Sequence, residues 1–83
     1  MRVSIRYFAS IRETLDRTGE TVETGAVTLA GLRDELIDRG GAYADSLARG
    51  RAVRLALNQV MADESALLVE GAEVGFFPPV TGG

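Results

Sequence analysis

The side chains that usually do chemistry at neutral pH are missing from this chain. It contains no histidine, no cysteine and no lysine, and all nine of its basic residues are arginine. A neutral-pH general base, a thiol nucleophile, a Schiff-base amine and the favoured zinc ligands are therefore absent. Twelve carboxylates remain, and a pair of them could in principle divide acid and base roles. Glu13, Asp16, Glu20, Glu23, Asp34, Glu35 and Asp38 are scattered through polar contexts, which is the pattern of a solvated surface. The reading predicts no catalytic side chain of its own and no metal site. Attention passes to the last carboxylate, that of Gly83, reached through FFPPVTGG.

A Gly-Gly ending is a weak signal in a chain with ten glycines. The residues before it sharpen the signal. Pro78 and Pro79 each hold φ at about −65° and lack an amide donor, so a strand arriving through Phe76 and Phe77 must end there. They also favour an extended exit. Val80, Thr81, Gly82 and Gly83 can then span about 13 Å, enough to thread a narrow channel in another protein. Glycines leave no Cβ to obstruct approach to the carboxylate. A carboxylate is a poor electrophile until its oxygen becomes a leaving group, and an unobstructed terminus suits an enzyme that performs that activation.

Other candidates are weaker. Gly40, Gly41 and Gly50 are not spaced as a dinucleotide or phosphate loop, and no P-loop lysine exists; they read as helix stops and turns. Arg49, Arg51 and Arg54 could meet an acidic partner, although a solvated face is the plainer reading. The stripe Leu29, Leu32, Leu36 reads as core.

The elements that must position the tail follow from periodicity. Val3, Ile5 and Tyr7 alternate with Arg2, Ser4 and Arg6 as a half-buried strand. Ile11 and Leu15 mark a short helical stretch, and GETVET resumes as a polar edge strand with Val22 inward. TLAGLRDELIDRG is the clearest helix, about thirteen residues long, with Thr28 as cap, Leu29, Leu32, Leu36 and Ile37 on one face and Gly40 at its end. A short helix with Tyr43 and Leu47 inward follows. Val53, Leu55 and Leu57 alternate up to an Asn58-Gln59 turn into Val60 and Met61. Glu70-Gly71 turns the chain into a last strand through Val74 and Phe76. One principal helix covers one sheet face, so the predicted fold is α+β: a ubiquitin-like β-grasp of about five strands, first and last paired at the centre. Alternation turns Gly75 and Phe77 outward, and Phe8 emerges on the same outer face. These two rings could share a patch beside the tail and anchor a partner.

At 83 residues and 8.8 kDa the chain is read as a single domain, 1–83, with 78–83 as its reactive tail. A 46% hydrophobic, 25% charged composition suits an ordered globule. A net charge of −3 argues against nucleic acid, no apolar run approaches the length of a membrane span, and the opening MRVSIRYF lacks a signal-peptide core, which predicts a cytoplasmic chain.

Over its whole length the chain resembles the small, sulfur-carrying subunit of molybdopterin synthase. The likeness is strongest in EGAEVGFFPPVTGG, moderate in RVSIRYFASIRE and LALNQ, and weak over residues 40–51. The resemblance implies a carrier cycle. A ubiquitin-activating-like adenylyltransferase uses ATP to make an acyl-adenylate on Gly83, and a sulfur donor protein converts it to a thiocarboxylate. The arm Pro78, Pro79, Val80, Thr81 and Gly82 then inserts into the large synthase subunit, within a heterotetramer, where the sulfur helps build the molybdopterin dithiolene. The catalytic side chains would belong to these partners. A thiazole-pathway sulfur carrier would share the Gly-Gly ending, although such chains tend to lack the FFPPV lead-in. A ubiquitin-like modifier and a plain β-grasp binding module also stand; without lysine the chain could not build isopeptide chains on itself.

Overall fold

The computed structural model describes residues 1–79. Along the chain these form β1 (Arg2–Tyr7), α1 (Ala9–Leu15), β2 (Gly19–Glu23), α2 (Leu29–Ile37), α3 (Gly41–Leu47), β3 (Arg54–Leu57), β4 (Val60–Ala62) and β5 (Glu73–Phe77). The strands make one mixed sheet in the order β2-β1-β5-β3-β4. Its centre is the parallel pair β1–β5, with Ile5 opposite Val74 and Tyr7 opposite Phe76. The flanking pairings are antiparallel.

The alternation seen in the sequence decides which face is covered. Val3, Ile5, Tyr7, Val74 and Phe76 point to one side and are at most 1% exposed. Leu29, Leu32 and Leu36 of α2, with Leu47 of α3, close over them. Burying these side chains is worth about 1.5–3 kcal/mol each, as an upper bound. The opposite face keeps Arg2, Ser4 and Arg6 in solvent and carries no helix.

Local chemistry agrees with the turns. Asn58 and Gln59 both take positive φ, 50° and 70°, the left-handed pair of a two-residue hairpin turn. Thr28 Oγ1 accepts from the Gly31 amide at 3.1 Å and starts α2. That helix is shorter than its periodicity suggests: nine residues rather than about thirteen. Thr28 stands outside it as the cap, and after Ile37 the chain turns through Asp38 and Arg39 to Gly40, whose φ of 75° cannot continue a right-handed helix.

Polar groups stitch the layers in a way the sequence pattern did not indicate. Arg33 is buried to 4% exposure in its side chain and donates to the carbonyls of Leu47, Ala48 and Arg51 at 2.7–3.0 Å. The loop after α3 is thereby tied to α2. Arg49, Arg51 and Arg54 are all exposed, as read from the sequence; Arg49 in addition bonds Asp34 and the Ala30 carbonyl and contacts Glu64. Glu20 departs from the solvated carboxylate pattern. It accepts from the Tyr7 and Tyr43 hydroxyls at 2.7 and 2.6 Å and from Arg39 at 2.9 Å.

Burial raises the Glu20 pKa, but the bonds from Tyr43, Arg39 and Tyr7 outweigh it and hold the carboxyl below its ordinary 4.5. A depressed carboxyl pKa contributes stability that is present above the unfolded value and lost as pH falls through the folded one. Glu20→Gln should therefore be less stable than wild type at neutral pH, with the gap closing as the pH falls below about 4.5. Urea midpoints across that range measure it, and two parallel curves would remove Glu20 from the acid limb.

Candidate functional site

The last described residues leave the sheet beside its open face. β5 makes its final pairings at Phe76 with Tyr7 and at Phe77 with Arg54. Pro78 and Pro79 then remove the amide donors that further pairing would need; Pro78 is half-buried and Pro79 exposed. Val80, Thr81, Gly82 and Gly83 lie outside the described residues.

Phe8 reaches this point because β1 ends abruptly. Its amide donates to the Phe76 carbonyl at 3.1 Å, the last bond along the central pair. Its own carbonyl accepts from Ile11 and Arg12 and begins α1. Ala9 makes the reversal with φ at 50°, a left-handed conformation that costs a non-glycine residue of order 1 kcal/mol. The Phe8 ring is thereby laid on the outer face of the sheet. There it stacks on Phe77, with centroids 4.3 Å apart and planes 2° from parallel. The shared patch read from strand alternation is present, and both rings are half-buried by each other rather than fully open.

The space under the rings comes from Gly75. It points outward as alternation requires, yet it is buried, because a Cβ there would lie 3.0 Å from Phe77 and 3.2 Å from Phe8. Only a residue without a side chain lets both rings lie flat on the sheet. Across the strand, Ala56 faces Gly75 and Met61 faces Ala56. Met61, 53% exposed, extends the apolar surface and lines a groove with Phe8, Phe77, Pro78 and Arg54. Arg6 stands at the other edge, its guanidinium 5.9 Å from the Phe8 ring centre. Met61 was not singled out as a docking residue from the sequence, whereas Arg54 was named there as able to meet an acidic partner; strand alternation carried through the Asn58-Gln59 turn is the signal that places Met61.

This arrangement can bind and present. Among the described residues, no three histidine, cysteine or carboxylate side chains are placed to hold a metal, and no helix is long and apolar enough to cross a membrane. Glu20, the carboxylate held below its ordinary pKa, is bonded to two tyrosines on the covered side of the sheet.

The fold and the tail base define a β-grasp carrier domain, and comparison with known proteins agrees. The ThiS family model matches residues 5–83, and the chain belongs to that family. A molybdopterin synthase sulfur carrier subunit of Mycobacterium tuberculosis is 38% identical over 85 residues, covering 100% of this chain and 99% of that protein. The Haemophilus influenzae subunit of the same name is 31% identical over 81 residues, covering 98% and 99%. Among solved structures, a complex of subunits 1 and 2 of the molybdopterin-converting factor from Helicobacter pylori aligns at TM-score 0.70 and 26% identity, covering both chains fully.

Gly75→Val tests the local packing. It should cost about 1–2 kcal/mol, the usual scale of overpacking, and change the NMR ring-current shifts of Phe8 and Phe77. Unaltered aromatic shifts would mean that the rings do not close over position 75.

Proposed function

We propose that this protein is the sulfur carrier subunit of a molybdopterin synthase. The observation that carries the reading is the full-length likeness to sulfur carrier subunits. The open sheet face ending in two prolines supports it physically. The protein contributes no catalytic side chain. It contributes a rigid docking face and a short arm whose terminal carboxylate is the cargo site.

The chemistry falls on Gly83. Its carboxylate attacks the α-phosphate of ATP in an adenylyltransferase, releasing pyrophosphate and forming an acyl-adenylate. Sulfur from a donor protein then displaces AMP, and the terminus becomes a thiocarboxylate. The arm Pro78, Pro79, Val80, Thr81 and Gly82 carries that sulfur into the large subunit, whose side chains direct its transfer to the pterin precursor and return Gly83 to the carboxylate. The large subunit docks on Phe8 and Phe77. Stacked rings presented without covering structure suit this role, since a few buried aromatics dominate the energy of most interfaces.

Mass spectrometry of the protein coexpressed with its activating enzyme checks the cycle, with one oxygen replaced by sulfur as the expected product. Lysine-linked adducts would indicate a modifier instead, and an unchanged mass a plain binding module. Deletion of Gly83 should abolish the exchange and leave Tm within about 2 °C, because 1 kcal/mol moves a domain of this size by several degrees. Sulfur transfer that survives the deletion would overturn the assignment.

Phe77→Ala should weaken binding to the large subunit by about 2 kcal/mol, or about 30-fold in Kd, with a smaller effect on folding. Calorimetric titration reads this directly. Wild-type affinity in a folded variant would place the anchor elsewhere.

A further inference from the structure

The arginines divide into two groups by position. Arg2, Arg17, Arg33, Arg39 and Arg49 are in ion pairs with carboxylates. Among the described residues Arg6, Arg12, Arg51 and Arg54 are in none. Arg6, Arg51 and Arg54 lie toward the end of the sheet from which the tail leaves. Arg6 lies beside the Phe8 ring, Arg12 sits in the helix that begins after Phe8, and Arg54 faces Phe77 across the sheet. Arg51 and Arg54 line the grooves on either side of Pro78 and Pro79. Asp45 is the one carboxylate lining those two grooves.

We propose that Arg51 and Arg54 guard the activated terminus, surrounding the tail's exit with positive charge while offering it no amine to attack. An acyl-adenylate is an electrophile for any amine within reach. The four residues beyond Pro79 bridge at most about 13 Å, and Pro79 lines both grooves. A lysine at position 51 or 54 would therefore hold its amine at an effective concentration on the order of millimolar around the Gly83 carbonyl. A lysine, with a pKa of about 10.4, has a reactive neutral fraction near neutral pH, whereas a guanidinium titrates far above that range and stays protonated and delocalised. Arginine thus keeps the charge and withholds the nucleophile.

The fold also removes the α-amine. Met1 donates that amine to the Thr24 carbonyl at 2.7 Å, at the start of β1. Because β1 and β5 run parallel, the tail leaves from the opposite end of the sheet. Seven residue steps along β1, at about 3.3 Å each, separate Met1 from Phe8, farther than the tail can reach back. With no lysine in the 83 residues, the carrier holds no amine near its own activated carbonyl.

The inference rests on the proposed activation of Gly83, but its test bypasses the activating enzyme. The full chain is prepared by intein cleavage as a Gly83 α-thioester of a small thiol, as wild type and as Arg51→Lys, Arg54→Lys and Arg2→Lys. In the reaction sought, the lysine nitrogen attacks the Gly83 carbonyl carbon. A C–N bond forms, the C–S bond breaks, the thiolate leaves with the electron pair, and the ammonium proton passes to solvent. The product is a lactam lighter than the free acid by one water, and peptide mapping locates the crosslink. At about pH 8, lactam should form at least tenfold more in Arg51→Lys and Arg54→Lys than in wild type or Arg2→Lys, where hydrolysis prevails. Wild-type levels of lactam in both tail-side variants would overturn the proposal, as would equal lactam in Arg2→Lys. Since no adenylation is involved, failure here is distinct from failure of the carrier reading, which the Gly83 deletion decides separately.

Discussion

The parallel pairing of β1 with β5 is the constraint on which the rest of this structure depends. It joins the two ends of the chain at the centre of the sheet, so Val3, Ile5, Tyr7, Val74 and Phe76 must all be apolar on the same side. A parallel pair cannot be closed by a tight turn and needs a long crossover. Here the crossover holds every other element, and α2 lies across the buried face because Leu29, Leu32 and Leu36 have nowhere else to go. The direction of the pair also separates the ends. Met1 is held at one edge by Thr24, and Pro78 leaves from the other.

A single helical layer leaves the other sheet face without a cover among the described residues. Gly75 and Ala56 keep its middle low, while Phe8 and Phe77 rise at its tail end as a flat stacked pair. Offset or parallel ring contact is worth about 0.5–1.5 kcal/mol beyond area burial, which holds the pair together before any partner arrives. A docking surface of preset shape loses less entropy on binding than one that must be ordered.

Buried charge secures the loops that this sheet does not reach. The Arg33 guanidinium collects three carbonyls from residues 47–51, and Glu20 collects two tyrosines and an arginine. Each would be costly alone and is tolerable because its hydrogen-bonding capacity is used. Glu20 sits on the covered side of the sheet, bonded to Tyr7, and Arg33 lies under the loop that follows α3. Their hydrogen bonds serve the fold, tying α3, β2 and the loops around them to the core.

The sequence by itself determined the strands, the cap at Thr28, the turn at Asn58-Gln59, the stop at Pro78 and the outward direction of Phe8 and Phe77. These follow from local rules: period-two alternation, a side chain that caps, and a ring that fixes φ. The absence of histidine, cysteine and lysine likewise needed no structure to exclude most chemistries. Only the tertiary structure decided what depends on distance between residues far apart in the chain. It shortened α2, buried Arg33 under three carbonyls, paired the exposed Arg49 with Asp34, and turned Glu20 into a half-buried acceptor. It also showed that Gly75 is a glycine for space rather than for backbone freedom, since the rings that need the space come from positions 8 and 77. Charge and burial of a long polar side chain depend on which partners the fold brings within about 3 Å, and no periodicity along the chain records that.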